Sequence, residues 1–206
     1  DARVAPDIPA APETVDYVTV DTPELLEDCL KQIGAASLVA LDTETTSLDP
    51  MMASLVGASM SIHPGQGWYI PLAHKGNMLA QQLDKSMVLE KLRPWLEDDS
   101  AAKVLQNAKY DTHVFANEGI GLKGIQDDTM LMAYVLESHR NVGMQDLAQR
   151  YLGRKGVDYT DLCGKGARQI GFDEVEIETA SFYACEDTDF TLQLAGLMRP
   201  LVVAEE

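Results

Sequence analysis

The sequence predicts an α/β domain, a mixed five-stranded sheet made of an antiparallel hairpin plus parallel strands and flanked by helices. Three observations predict it. Ser37-Leu38-Val39-Ala40-Leu41 is a near-continuous apolar run, the kind found mid-sheet with both faces covered. Residues 55–62 and 68–72 are strand-like and are joined by the turn His63-Pro64-Gly65-Gln66-Gly67, which makes a hairpin. Residues 103–106 and 125–128 are short runs each followed by a helical pattern, and strand-then-helix units add parallel strands.

In chain order, residues 1–16 are rich in Ala and Pro and read as a linker, with the domain at 17–206. The start at Asp1 rather than Met reads with that linker as a piece cut from a longer protein. Residues 17–20 alternate like a short edge strand. Asp21-Thr22-Pro23-Glu24 is a helix start, with a capping acid or Thr, Pro in the first turn and Glu behind it. Leu25, Leu26, Cys29, Leu30 and Ile33 follow at helical spacing, and Gly34 stops the helix. His74-Lys75-Gly76-Asn77 is loop. An amphipathic helix over 86–96 carries Val88, Leu89, Leu92, Trp95 and Leu96 on one side.

Asn107 opens a helix that runs to Gly119, and residues 129–136 form another, whose Met residues serve as core filler. A helix over 144–152 ends at Gly153. Between Gly153 and Gly171 lies the one basic concentration of the chain, Arg154, Lys155, Lys165 and Arg168, either a solvated loop or a phosphate-contacting one. Phe172, Asp173 and Glu176 resemble a staple residue, a capping Asp and a capping-box Glu, and start a last long helix reaching Leu197.

The 206 residues, 46% hydrophobic and 24% charged, suit one domain with a sizeable core. No apolar run approaches the ~18 residues of a membrane span, and no signal peptide opens the chain. Cys29, Cys163 and Cys185 are too few and too scattered for a disulfide frame or a zinc site, which fits a reduced, cytoplasmic setting. The formal charge of −17 taken alone argues against a nucleic-acid partner. Bound divalent cations invert the local field, however, and a short basic patch suffices for a short substrate.

Asp42 and Glu44 close the central apolar run two residues apart, so on a strand both point to one face. They are either a solvated turn or a seat for Mg²⁺ or Mn²⁺, since paired carboxylates repel without a cation between them. Acids elsewhere favour the seat. Asp111 stands in the first turns of a helix after a neighbouring strand, and Tyr183 and Asp187 stand four apart on one face of the last helix. In an open α/β sheet such strand ends and helix starts share an edge. Four carboxylates in one cleft call for two divalent ions.

Asp42-Thr43-Glu44, then Asn107 with Tyr110-Asp111, then Tyr183 with Asp187 resemble, in order and separation, the three exonuclease motifs of the DEDDy 3′–5′ exonucleases. The flanks Tyr69-Ile70-Pro71-Leu72-Ala73-His74, Gly164-Lys165-Gly166 and Tyr183-Ala184 before Glu186-Asp187 are similar to the proofreading domain of bacterial DNA polymerase I. The resemblance covers about residues 17–200. It implies a ribonuclease H-like fold and stepwise hydrolysis of a single-stranded or frayed DNA 3′ end. One Mg²⁺ or Mn²⁺ held by Asp42, Glu44 and Asp187 would activate water, and a second, held by Asp42 with Asp111 directly or through water, would steady the leaving oxygen. Tyr183, with a free pKa near ~10, orients that water rather than acting as its base.

The resemblance further implies Leu48 as a wedge with Tyr110 and Tyr159 against the last bases, where the family more often has Phe at the position of Tyr159. Gln106 and Asn107 are carried over as contacts to the terminal sugar or phosphate, with Asn107 equally readable as a plain helix cap. Thr43, Arg140, Arg154 and Lys165 join them as nucleic-acid contacts, although Arg140 stands one position before the family's Arg. The implied partners are a single-stranded DNA 3′ end and a polymerase domain in the same native chain. The implied setting is the bacterial cytoplasm at the nucleoid, as a monomer without a membrane. An RNA-trimming relative, or an inactive nucleic-acid-binding scaffold of the same fold, are the alternatives.

Overall fold

The computed structural model of the chain describes residues 12, 14–76 and 80–205, so most of the expected linker and Asn77 of the expected loop lie outside the described residues. Strands β1 (Asp16–Thr19), β2 (Val39–Thr45), β3 (Leu55–Ser61), β4 (Gln66–Pro71), β5 (Lys103–Leu105) and β6 (Ile125–Asp128) form a single sheet in the order β1-β4-β3-β2-β5-β6. β3 pairs antiparallel with both β2 and β4, and β5 pairs parallel with β2 and β6, as the hairpin and the strand-then-helix units lead one to expect.

The sheet has six strands where five were expected, because β1 joins it in parallel with β4. Its hold is tertiary: the Tyr17 hydroxyl donates to Asp189 Oδ2 at 2.8 Å and the Thr19 hydroxyl to Ser181 at 2.7 Å. Asp16 therefore belongs to the sheet and not to the linker.

Helices α1 (Pro23–Ala35), α2 (Lys85–Leu96) and α3 (Ala108–Asn117) cover one face. Leu26 and Ile33, Leu92 and Leu96, and Val114 and Phe115 pack there with Val39, Leu41 and Ile70 into the larger core. The opposite face is crossed by the long helix α7 (Ile177–Val203), which runs six residues beyond the expected Leu197. Against it pack Ala40 and Val104, then Val56 and Tyr69. Before it come α4 (Thr129–Glu137), the short α5 (Met144–Leu147), which continues as one wide π-type turn through Leu152, and α6 (Tyr159–Cys163) within the expected loop. Of the two Met residues expected as core filler, Met132 is buried in an apolar cluster there, whereas Met130 is only half-buried.

The expected cap of the last helix fails in detail. Phe172–Glu174 form a separate 3₁₀ turn, and α7 starts only at Ile177, with no side-chain cap on Glu176. Asp173 faces the other way, paired with Lys75 at 2.7 Å. No helix among the described residues is long and apolar enough to cross a membrane.

Candidate active site

Asp42 and Glu44 face α7 because they share the strand parity of Ala40, which packs against Ala195 of that helix. β2 continues through Thr45, so both acids lie within the strand rather than past its end. α7 crosses this face and brings Asp187 to them. One carboxylate oxygen from each of Asp42, Glu44 and Asp187 lies within 4.8 Å of the other two.

Burial pushes all three acids up. The Asp42 carboxyl rises to about 7 for that reason. Glu44, only 7% exposed, is held well above the carboxylate range by burial and then by repulsion from Asp42, Asp187 and Asp111. Asp187 is raised by burial and then by Asp42. Glu44 Oε1 and Asp187 Oδ1 are buried with no hydrogen-bond partner among the described residues. Buried polar atoms are nearly always paired. Three clustered carboxylates with two such orphan oxygens fit a hard divalent cation, whose ligands are oxygens.

Asp111 is the fourth acid and stands apart from the trio. α3 begins just after β5 and delivers Asp111 to the same sheet edge in its first turn, 1% exposed. Thr43, of opposite parity to Asp42 and Glu44, turns its backbone N–H and its hydroxyl to Asp111 Oδ1, at 3.1 and 2.6 Å. The hydroxyl expected at nucleic acid is thus committed to an acid. Tyr183 lines the same cleft as Asp187, one turn before it on α7. Burial, then the charges of Asp187 and Glu44, hold its phenol far above its ordinary value.

The cleft over these acids has two walls. Leu48, 92% exposed, forms its lip, beside Tyr110, whose hydroxyl is bonded to the Thr45 hydroxyl and the Ser47 carbonyl. Across from them stand Tyr183 and Tyr159, the latter stacked on Phe172 with ring centres 6.4 Å apart. Gln106 lines the cleft, yet its amide already donates to Val142 O at 2.9 Å and accepts from the Thr129 hydroxyl. Asn107 is neither a wall residue nor a side-chain cap. It sits in the left-handed region at φ 66°, and Asp128 receives its N–H at 3.1 Å.

The expected basic contacts are not on the cleft walls. Arg140 pairs with Glu137 at 3.3 Å, and Arg154 reaches Gln193 Oε1 at 2.5 Å while lying over the Phe190 ring. Lys165 stands before the 3₁₀ turn Gly166–Arg168. The cleft instead holds Thr45, Thr46, Ser47 and Gln169, none of which was given a role from the sequence. Gln169 belongs to the glycine-punctuated segment 153–171, whose charges, Tyr159 and Gly164-Lys165-Gly166 carry the sequence signal there.

A 3′–5′ exonuclease family profile matches residues 17–202. DNA polymerase I of Pseudomonas aeruginosa is 45% identical over 183 residues, 87% of this chain and 20% of that protein. DNA polymerase I of Rhizobium leguminosarum is 37% identical over 206 residues, 91% of this chain and again 20% of that protein. The chain therefore spans about a fifth of the length of these relatives. Among solved structures, Escherichia coli RNase D superposes with a TM-score of 0.66 at 20% identity, over 92% of this chain and 46% of that chain. Trypanosoma brucei RNase D gives 0.68 at 17% identity, over 89% of this chain and 64% of that one. These structures share the fold, and the ribonuclease H-like class expected from the motifs stands.

Proposed function

We infer the reaction from the family: this chain belongs to the 3′–5′ exonucleases. It removes nucleoside monophosphates one at a time from single-stranded or frayed DNA 3′ ends, with two divalent ions, Mg²⁺ or Mn²⁺. One observation carries this reading. Three carboxylates, Glu44 buried and Asp42 and Asp187 half-buried, converge within 4.8 Å and leave Glu44 Oε1 and Asp187 Oδ1 without partners among the described residues, in a cleft lined by tyrosines.

Asp42, Glu44 and Asp187 would hold one ion, and Asp42 with Asp111, directly or through water, the second. Bound there, the ions supply the positive charge that lowers the pKa of water and stabilises a leaving oxygen. Tyr183 contributes a neutral hydroxyl beside Asp187, which orients the attacking water rather than taking its proton. Thr43 keeps Asp111 in place through its two hydrogen bonds. Leu48, Tyr110 and Tyr159 rise around the acids and flank the last bases, a sequence-tolerant grip suited to an enzyme that removes any nucleotide.

The native protein is a DNA polymerase I in which residues 17–206 are the exonuclease domain and a polymerase domain lies in the same chain. Support comes from the relatives, of which this chain matches a fifth. The setting is the bacterial cytoplasm at the nucleoid, with the domain a monomer. Single-stranded DNA and RNA of equal sequence, offered with Mg²⁺ or Mn²⁺, test the substrate. DNA is shortened faster; faster trimming of RNA makes RNA the substrate, and inertness with both ions makes the chain a binding module.

A further inference from the structure

β4 leaves the sheet after Pro71, and the next residues fold against the segment leading into α7. The Lys75 N–H donates to Asp173 O at 2.6 Å. Gly76 comes so close that a Cβ would lie 2.3 Å from the Glu174 carbonyl oxygen. His74 is the buried centre of this seam, with its backbone N–H and carbonyl clamped by the Gln82 amide at 2.8 and 2.9 Å. Its Nδ1 lies 3.0 Å from the Val175 carbonyl, which can only accept, so Nδ1 carries the proton. Nε2 then accepts from the Tyr69 hydroxyl at 2.7 Å. Burial lowers the imidazole pKa and keeps this neutral form.

The two sides of the imidazole lead to the two halves of the acidic seat. Tyr69 is fully buried on the α7 face of β4, and its cross-strand neighbour Ser59 is also the neighbour of Asp42. The Tyr69 hydroxyl lies over Gly57, the cross-strand partner of Glu44. A Cβ at Gly57 would fall 2.2 Å from that oxygen, so only glycine leaves it room. On the other side, Val175 stands two residues before α7, and the His74 ring packs on Phe172 with centres 5.8 Å apart. Phe172 in turn meets Tyr183 at 6.0 Å and stacks on Tyr159.

We propose that His74 is a positioning residue for the acidic seat. Its neutral imidazole fixes the sheet half, Asp42 and Glu44 behind Tyr69, against the helix half, Tyr183 and Asp187 behind Val175 and Phe172. Groups that orient metal ligands from behind typically change metal affinity or activity about 10–100-fold when removed. The inference rests on the reading of the seat as a metal site.

The test uses metal-stripped protein, with Mn²⁺ affinity by calorimetry and nucleotide release by steady-state kinetics, for the unsubstituted chain, His74→Gln, Tyr69→Phe and Lys75→Met. His74→Gln and Tyr69→Phe lower Mn²⁺ affinity and kcat each about 10-fold with KM within about twofold. Lys75→Met, which removes only the ion pair of the same seam, leaves both unchanged. Folded His74→Gln and Tyr69→Phe with unaltered Mn²⁺ affinity and kcat overturn the proposal whatever their melting temperatures. So does an equal loss in Lys75→Met. If His74→Gln does not fold, Tyr69→Phe decides alone. Absence of Mn²⁺ binding in the unsubstituted chain removes the metal reading and this inference with it, whereas binding there with unaltered variants removes this inference only.

Discussion

Thr43 donates both its backbone N–H and its hydroxyl to a single carboxylate oxygen of Asp111, at 3.1 and 2.6 Å. The strand that carries two of the acids thereby holds the fourth acid, from a different element, at a fixed place beside them. Thr43→Val keeps the shape and the N–H but loses the hydroxyl bond. It is expected to cost about 1 kcal/mol in metal-free unfolding experiments. Nucleotide release should slow about 10-fold if Asp111 is held for chemistry. Stability loss without any change in rate would make the pair purely structural.

Glu44 gives the opposite signature. Its charged form is disfavoured by burial and by three neighbouring acids, so at pH 7.5 the metal-free fold carries strain that Gln relieves. Glu44→Gln should stabilise the metal-free protein by about 1 kcal/mol or more while removing activity. In urea melts, the Mn²⁺-induced rise in midpoint seen in the unsubstituted chain should shrink in the variant. A destabilised, still active Glu44→Gln would contradict the metal seat.

Far from the cleft, Lys103 supplies a pH dependence. Its side chain is buried, with Nζ donating to Ala101 O at 2.8 Å and lying 4.5 Å from the centre of the Trp95 ring. Burial lowers its pKa to about 8 against the opposing pull of Asp98 and Asp99. The unfolded chain, with a lysine pKa near ~10.4, binds more protons between these values, so this group's contribution to stability rises with pH across that window. Lys103→Met removes the effect, while the tyrosines and cysteines common to both proteins cancel. The unfolding free energy of the unsubstituted chain minus that of the variant should therefore grow from pH 7.5 to pH 10. A flat or falling difference would refute the assignment.

The net charge of −17 limits how DNA can be held. Arg140 and Arg154 are drawn to Glu137 and Gln193, and no Lys or Arg is among the described residues that line the cleft. About three or four phosphate contacts give a slope of log affinity against log salt near −2 to −3 for single strands. Fluorescence anisotropy with a labelled oligonucleotide measures it, and a slope near −8 would expose a long basic track.

What was legible in the sequence was what local periodicity encodes. Period two placed Asp42 and Glu44 on one face, and the four-residue spacing of Tyr183 and Asp187 set them on one turn of α7. What was not legible depends on partners distant in the chain. The edge strand β1 was readable from its alternation but its place beside β4 was not, since Tyr17 reaches Asp189 across the chain, and Asp173 fails as a cap because Lys75 claims it. Asn107 does not cap α3 because Asp128 accepts the backbone N–H groups of Asn107 and Ala108 there. His74 read as loop since one of its ring partners, Val175, is 101 positions away.

The most direct measurement follows a single-stranded DNA labelled at either end, with metal-stripped protein before and after addition of Mg²⁺, in the unsubstituted chain and Asp42→Ala. The account predicts stepwise loss of nucleoside monophosphates from the 3′ end, only with the ion, and at least about 10³-fold slower in Asp42→Ala. Release from the 5′ end, release without a divalent ion, or an Asp42→Ala variant as fast as the unsubstituted chain would contradict it.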